Sequence, residues 1–275
     1  MLVRVRLAPG VLPEHGALRD PAMRRVIELA DDASRFIALI ATEGSAQLDE
    51  GDPRWPDLVE LHDRGLVNVT VPFAAAMRLA LDAVRTGRNS HPALAMFGSR
   101  RVEVRGTSFA SIAGTTLWAL ARNATWVLAV FAILGLGMMM LMRQALPWLI
   151  ALAVVPPALV ILGLALHEAG HLYALRRVTG IADVGWLRLG VLCAGIRRPA
   201  LSPRDTATVA AAGPATASAT GVVIALAGVV LGSPAFVVCG LPLCAHLITL
   251  SPWASDGRSF LRALKEMRRA ERARD

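Results

Sequence analysis

The chain has 275 residues, of which 55% are hydrophobic and 18% charged, and its mean hydropathy is +0.51. This composition excludes an ordinary globular protein and indicates a large membrane-embedded portion. Residues 1–111 carry no net charge, so the formal charge of +8 lies entirely in residues 112–275. The basicity therefore follows the apolar part of the chain and does not indicate a nucleic-acid partner.

The first 110 residues are predicted to form a small soluble α/β domain. The sequence begins MLVRVRLAPG, which lacks the apolar core of a secretory signal, so this domain is expected to stay on the side where it is made. Residues 87–101 are predicted to form a linker. Local periodicity predicts strands at 2–7 and 101–105 and helices at 21–31, 34–41, 56–64 and 72–88.

Four apolar runs follow, and each is predicted to cross the membrane as a helix. They cover residues 124–142, 147–175, 207–231 and 235–250. Pro156-Pro157 should kink the second run, and the many small residues of the third are typical of a helix packed inside a bundle. Four spans with the Arg-rich loops on one side predict a multi-pass protein of the cell membrane with both termini in the cytoplasm.

Two segments outside the spans have patterns of their own. Residues 184–196 alternate β-favouring residues around glycines, which predicts a β-hairpin at membrane depth; an amphipathic loop is the alternative. Residues 260–274 combine an apolar face with basic residues, which predicts a helix lying on the inner leaflet or a solvated helix. The three cysteines have no C-x-x-C spacing and indicate no disulfide framework.

The motif His167-Glu168-Ala169-Gly170-His171 lies at the end of the second apolar run. Residues four apart share a helix face, so the two imidazoles can bind one Zn²⁺ while the carboxylate of Glu168 reaches a water. A catalytic zinc needs a third protein ligand. The candidates are His246, Asp256 and Asp205, with Asp256 preferred. His246 is otherwise a hydrogen-bonded interior histidine, and Asp205 a residue that starts a helix.

These motifs resemble the site-2 protease family of intramembrane zinc metalloproteases. HEAGH ends an apolar helix, Ala212-Gly213-Pro214 opens the next span, and Leu250-Ser251-Pro252 precedes Asp256-Gly257-Arg258. The resemblance implies His167, His171 and Asp256 as zinc ligands and Glu168 as the catalytic base. It covers residues 146–264, with three helices forming the metalloprotease core, and does not extend to the first 110 residues.

The contacts with the substrate backbone are expected to differ from those of the family. Family members commonly carry Asn where this chain has Ala217 and Ser251. A hairpin edge over residues 185–194 is predicted to hold an extended substrate strand by β-augmentation. The residues expected to contact substrate are Gly213, Pro214, Ser251, Pro252 and, on the hairpin, Gly190.

The predicted function is peptide-bond hydrolysis by a membrane-embedded zinc endopeptidase, with Glu168 as general base. One expected substrate is a membrane-anchored regulator. The other is the leader of a modified peptide, because residues 35–67 are weakly similar to the small winged-helix domains that bind leader peptides. Either partner would meet the enzyme at the lipid bilayer. The alternative is a non-catalytic transporter or scaffold with a relic motif, which predicts no bound zinc.

Overall fold

A computed structural model describes residues 1–86, 93, 96–142, 154–190 and 194–273. These residues are mostly helical, and the contacts divide the chain into two compact units. The N-terminal unit comprises Met1–Glu103 and Asp183–Pro199, and the helical unit comprises Val104–Ala182 and Ala200–Asp275. The predicted boundary near residue 110 therefore differs from this division mainly by the segment 183–199, which belongs to the N-terminal unit.

The N-terminal unit is a mixed α/β structure. Its described strands are β1 (Leu2–Leu7), β2 (Leu12–Glu14), β3 (Ala17–Asp20), β4 (Arg25–Glu28), β5 (Ala46–Asp49), β6 (Val67–Thr70), β7 (Arg100–Val102), β8 (Trp186–Leu189) and β9 (Ala194–Arg197). They form three antiparallel sheets with the orders β5-β1-β6, β2-β3-β4 and β7-β8-β9. The helices named here are α1 (Asp31–Glu43), α2 (Trp55–Asp63) and α3 (Phe73–Thr86).

The core of this unit lies where the inner face of β1 meets the helices. Val3 and Val5 are buried, whereas Arg4 and Arg6 alternate with them and are exposed, as the two-residue period of a strand requires. From α1, a face that includes Ile40 packs into the same core. The alternation of apolar and charged residues in β1 thus determines which face of the sheet packs against the helices.

Most local predictions for this unit are confirmed. The strand at 2–7 is β1, and the helices at 34–41 and 56–64 fall on α1 and α2. The strand predicted at 101–105 overlaps β7, which begins one residue earlier and ends three residues earlier, at Val102. The helix predicted at 72–88 is α3 as far as Thr86, where the described residues stop. Of the linker predicted at 87–101, residues 87–92, 94 and 95 lie outside the described residues. The prediction is wrong for the others, because Ala93 and Met96 are buried in the core of this unit and the last two residues belong to β7.

The helix predicted at 21–31 is wrong. A short 3-10 turn, Pro21–Met23, is followed by β4, which pairs with β3 in the register Leu18↔Ile27. Arg24 has a left-handed φ of 53°, which interrupts any helix at that point. The β-branched side chains of Val26 and Ile27 then favour an extended strand.

The hairpin predicted at 184–196 is present as β8 and β9. The two strands pair antiparallel, with Leu187 opposite Ile196, and β8 pairs on its other side with β7. Residues 191–193, between the two strands in sequence, lie outside the described part of the chain. The hairpin therefore completes a sheet of the N-terminal unit, and its depth in a membrane stays a prediction. Because β8 has a strand on each side, it offers no free edge to a substrate strand, so the β-augmentation predicted over residues 185–194 is wrong for β8.

The helical unit carries the candidate membrane spans. Its described helices are α4 (Phe109–Asn123), α5 (Thr125–Met142), α6 (Val155–Thr179), α7 (Pro203–Val230), α8 (Pro234–Cys244), a 3-10 helix (Ala245–Leu250) and α9 (Ser255–Arg272). Two of them, α6 and α7, are long and apolar enough to cross a membrane. The pair Pro234–Leu250 and Ser255–Arg272, bent by 42°, makes a third if it is one span. The structure thus fits a membrane protein, and the crossing by α5 at the first predicted span stays a prediction.

Both long helices carry prolines in their first turn. Pro156 and Pro157 lie in the first turn of α6, where a missing N–H leaves no helical bond unmade. The kink predicted there involves residues before 154, which are outside the described ranges. Helix α7 begins at Pro203, four residues before the predicted span, because the Ser202 hydroxyl caps it by accepting from the backbone N–H of Asp205.

Glycines bring α7 close to both of its neighbours. A Cβ built on Gly170 of α6 would lie 2.7 Å from the carbonyl oxygen of Ala212, and one on Gly221 would lie 2.6 Å from that of Gly240. Only glycine fits such gaps, which is the way membrane helices approach closely. Towards its end α7 is packed on one side only, because Gly221 and Gly228 are buried there whereas Val230 is 85% exposed. The prediction of a packed helix therefore holds for the first half of α7 and for the buried side of the second half.

A buried ion pair joins distant segments of the N-terminal unit. Arg101 donates to Oδ1 of Asp20 at 2.9 Å and to the carbonyl oxygen of Gly65 at 3.3 Å, and its guanidinium lies 5.1 Å from the ring centre of Trp186. The Asp20 and Arg101 side chains are 0% and 1% exposed. A second arginine, Arg25, approaches the other carboxylate oxygen of Asp20 at 3.3 Å.

We predict that Arg101→Met destabilises the N-terminal unit by about 3–5 kcal/mol, because it leaves the buried carboxylate of Asp20 with one partly exposed partner. Amide hydrogen exchange of β1 and β7 in the full-length protein measures the opening free energy. The matched control is Arg35→Met, which removes an exposed ion pair with Asp32 and should cost less than about 1 kcal/mol. Equal effects of the two variants would contradict the prediction.

His62 makes the same unit sensitive to acid. It is buried in α2, and its Nδ1–H donates to the carbonyl oxygen of Val67 at 3.3 Å. Burial first, and the positive charge of Arg188 second, lower the pKa of His62. The unfolded chain takes up this proton near pH 6.5, about the ordinary value, and the folded chain only at lower pH. The stability is thus unaffected by this group above that pH and falls as the pH decreases below it.

We therefore expect the opening free energy of this unit to fall as the pH is lowered from about 7.5 to about 5, and His62→Gln to remove part of that fall. Hydrogen exchange at a series of pH values, corrected for the intrinsic exchange rate, measures both. An identical pH dependence in the variant and the wild type would show that His62 does not contribute.

Candidate metal centre

Two histidines lie one turn apart on the buried face of α6. His167 and His171 are 5% and 7% exposed. Their rings meet edge to face at 82° with centroids 4.7 Å apart, and their Nε2 atoms are separated by 3.1 Å. Two lone-pair nitrogens at that distance repel unless a proton or a cation lies between them. The four-residue spacing has therefore placed a pair of donors on one face, as the motif predicted.

Asp256 brings a carboxylate to this pair from the first turn of α9. Its Oδ2 lies 3.0 Å from Nε2 of His167 and 3.4 Å from Nε2 of His171. The ligand atoms of the three residues all lie within 4.8 Å of one another, so they could hold a metal ion. The Asp256 side chain is 22% exposed, so the cluster is buried by the helices but not sealed.

The turn before α9 explains why a glycine follows Asp256. Ser251 ends the 3-10 helix in an extended conformation, and the chain reverses over the next residues into α9. A Cβ on Gly257 would collide with the carbonyl oxygens of Leu250 and Ser251. Only glycine therefore lets the helix start this close to the preceding turn, and that start places the carboxylate at the histidines.

Helix α7 fixes the second histidine from behind. Nδ1 of His171 lies 2.6 Å from the carbonyl oxygen of Val209, and a carbonyl can only accept, so Nδ1 carries the proton. The lone pair of the neutral ring is then on Nε2, which faces Asp256. A Cβ on Gly213 would overlap this ring, lying 2.6 Å from its Cδ2 and Cε1 atoms. Gly213 therefore makes the space that His171 occupies.

Glu168 lies beside the donor group and outside it. It follows His167 and precedes His171 by three residues, and it is 6% exposed. Residues three apart on a helix are neighbours, so its carboxylate shares the face of His171. A buried carboxylate next to three potential metal ligands is the arrangement that the HEAGH pattern predicted.

Of the three candidates for a third donor, the structure assembles Asp256 with the histidines. His246 is half-buried, with its Nδ1 3.2 Å from Nδ1 of His167, and it is not part of the three-donor group. The Asp205 carboxylate accepts from the Ser202 hydroxyl at 2.8 Å at the start of α7, which confirms it as a helix-start residue.

The residues predicted to contact substrate have other surroundings. Gly213 and Pro214 are buried in α7, Ser251 and Pro252 form the turn before α9, and Gly190 is buried at the end of β8 in the N-terminal unit. Their contacts with substrate stay predictions. Sequence reasoning did not single out Gly163, which lies one turn before His167 and against His246. A glycine four residues before the motif was the available signal.

Comparisons with known proteins do not identify a family for this chain. No family model matches the chain, and no curated protein or solved structure matches it either. The resemblance to site-2 proteases therefore rests on the residues quoted for it. The structure itself shows three side chains that converge and two glycines, Gly213 and Gly257, that leave room for them.

We predict that Gly213→Ala weakens divalent metal binding, because its Cβ must displace the imidazole of His171. A His171 ring that is no longer held in place should lower the metal affinity about 10- to 100-fold. Loss of a hydrogen bond that supports a ligand has an effect of this size in other metal sites. Chelator competition with the full-length protein in detergent measures it. Gly114→Ala in α4 is the matched control, since a Cβ there meets nothing within 4 Å. Unchanged affinity in Gly213→Ala would contradict the packing argument.

Proposed function

We propose that this protein is a membrane-embedded zinc endopeptidase. The observation that carries the proposal is the convergence of His167, His171 and Asp256 on one point of a helix long and apolar enough to span a membrane. The helix also supplies a buried carboxylate, Glu168, between its two histidines. Ligands and a base on one face are what metal-assisted hydrolysis requires.

The donor set supports zinc as the metal. Two imidazole nitrogens and one carboxylate oxygen are common zinc ligands, and the three atoms are separated by 3.0, 3.1 and 3.4 Å. In a tetrahedral site with bonds of about 2.0–2.1 Å, ligand atoms lie about 3.3–3.4 Å apart. The three side chains thus need to separate by less than about 0.5 Å to enclose the ion, and the fourth position remains for water or substrate.

When bound, zinc would supply Lewis-acid chemistry, polarising a peptide carbonyl and lowering the pKa of water. The protein supplies the proton transfers. The Glu168 carboxylate can take a proton from the attacking water and pass it to the leaving amine. Because Glu168 is buried, its interaction with developing charge is little screened by solvent. Asp256 is the most exposed of the three donors, so we expect water and an unwound substrate strand to approach past its carboxylate.

A non-catalytic transporter or scaffold with a relic motif explains these observations less well. Three polar side chains gathered in an apolar helical unit are expensive without a function that uses them. Glycines at 213 and 257 leave the room that two of the three require. A relic would have no reason to keep both the donors and their clearances, whereas a metal-dependent enzyme needs all of them.

The proposal includes a multi-pass topology with both termini in the cytoplasm. Arg-rich segments on one side of the apolar helices support that orientation. The substrate is then a membrane-anchored protein or a precursor peptide that reaches the centre at the bilayer. The two substrate versions, a membrane-anchored regulator and the leader of a modified peptide, both stay predictions.

We expect His167→Ala to lose zinc and activity together, and Glu168→Gln to keep zinc while losing at least about 100-fold in rate, because it removes the general base alone. Metal analysis of the purified protein gives the first result. The second comes from membranes carrying tagged single-span test proteins, with new termini identified by mass spectrometry. His15→Ala, at an exposed position of the N-terminal unit, is the control and should change neither.

Equal zinc content in wild type and His167→Ala would overturn the ligand assignment. Undiminished cleavage by Glu168→Gln would overturn the mechanism while leaving the metal site in place. A wild-type protein that binds no zinc would favour the non-catalytic alternative. A wild-type protein that binds zinc and cleaves none of the test proteins, at any concentration of enzyme, would contradict the proposed peptidase activity while leaving the metal site in place.

A further inference from the structure

His246 lies against the metal ligand on the side away from the centre. It belongs to the 3-10 helix Ala245–Leu250, which precedes the turn to Asp256. Its ring is 5.1 Å from that of His167, centroid to centroid, at an angle of 44°. The closest polar approach is between the two Nδ1 atoms, at 3.2 Å. An interior histidine that only filled space would not need a nitrogen at this position.

The orientation of the His167 ring determines which of the two Nδ1 atoms donates the hydrogen bond. Its Nε2 faces Asp256 and His171, so Nε2 is the atom that can bind a metal. A neutral imidazole that offers the lone pair of Nε2 carries its proton on Nδ1, and ligating histidines donate that proton to a partner. The proton of His167 therefore points at His246. For the bond to form, His246 must hold a lone pair on Nδ1 and its own proton on Nε2.

The two ligands then have partners of different kinds. His171 donates to a backbone carbonyl, that of Val209. His167 has a side chain in the equivalent place. A hydrogen bond to the second nitrogen fixes both the tautomer and the ring orientation of a ligand, so the contact with His246 does for His167 what Val209 does for His171.

Gly163 provides the space for this arrangement. It lies on α6 one turn before His167 and therefore on the same face. A Cβ at Gly163 would lie 2.6 Å from Nε2 of His246 and 3.4 Å from its Cδ2. The absence of a side chain at Gly163 thus leaves a gap on the surface of α6. The His246 ring fills this gap and contacts His167.

We propose that His246 is a positioning residue that accepts a hydrogen bond from Nδ1–H of His167 and holds its Nε2 lone pair towards the metal. Gly163 admits the ring that does so. The inference rests on the metal centre of the proposed function and not on proteolysis. His246 does not bind the metal or touch the substrate; it acts through His167.

Zinc affinity of the full-length protein in detergent, measured by competition with a chelator, tests the role. His246→Leu removes the acceptor and should weaken binding about 10- to 100-fold, whereas His246→Asn places an amide oxygen near the former Nδ1 and should restore it to within about threefold of wild type. Gly163→Ala should reproduce the loss from the opposite side of the contact. Gly137→Ala, where a Cβ meets nothing within 4 Å, is its control and should bind as wild type does.

Thermal unfolding of each variant confirms that it is folded, and Co²⁺ in place of Zn²⁺ gives a second readout, since its visible spectrum reports ligand geometry. We expect that spectrum to shift in His246→Leu and to return in His246→Asn. Equal affinities and spectra of His246→Leu and wild type would overturn the inference and leave the metal centre standing. Equal losses in the Leu and Asn variants would also overturn it, by assigning His246 a packing role. No zinc binding by wild type would overturn both proposals.

Discussion

The contact between the Asp256 carboxylate and the two imidazoles of α6 is the interaction on which the helical unit's chemistry depends. It joins residues 89 positions apart in the chain, and two glycines leave the room that it needs. Gly257 lets α9 begin directly after the turn, and Gly213 lets α7 pass beside His171. Gly163 leaves room for the ring that lies behind His167. The site is therefore defined as much by absent side chains as by the three that converge.

The same clearances let the three donors lie together although they are largely buried, in a group that could hold a cation. Two imidazole lone pairs and a carboxylate repel one another when they lie together in apolar surroundings, and removing them from water costs free energy. A positive charge bound between them offsets both costs. The supporting contacts, from Val209 and His246, hold the lone pairs in place before any ion arrives. Such preorganisation reduces the cost of binding, because the ligands need little rearrangement to coordinate.

The sequence predicted the donors better than their supports. HEAGH has a fixed helical spacing, so the positions of His167 and His171 on one face followed from the motif. Asp256 was preferred among three candidates, and the resemblance then implied it as a ligand. The supports did not, since a backbone carbonyl such as that of Val209 has no sequence signature. In the N-terminal unit, the alternation of apolar and charged residues was sufficient to predict β1. The helix predicted at 21–31 was wrong because Arg24 adopts a left-handed conformation, which an arginine in a sequence does not signal. Strand pairing between β7 and β8 is non-local and could not be predicted from either segment.

That pairing makes the two units inseparable along the chain. The polypeptide leaves the N-terminal unit at Glu103, returns at Asp183 and leaves again at Pro199, so the hairpin β8–β9 is an insertion between the helices that carry HEAGH and Gly213. A fragment beginning after residue 110 would contain β8 without β7, and its unpaired edge would be available to other chains. Dissection of this protein into a soluble domain and a membrane enzyme at that point would thus produce an aggregation-prone fragment, and the natural cut would have to remove two separate pieces of sequence.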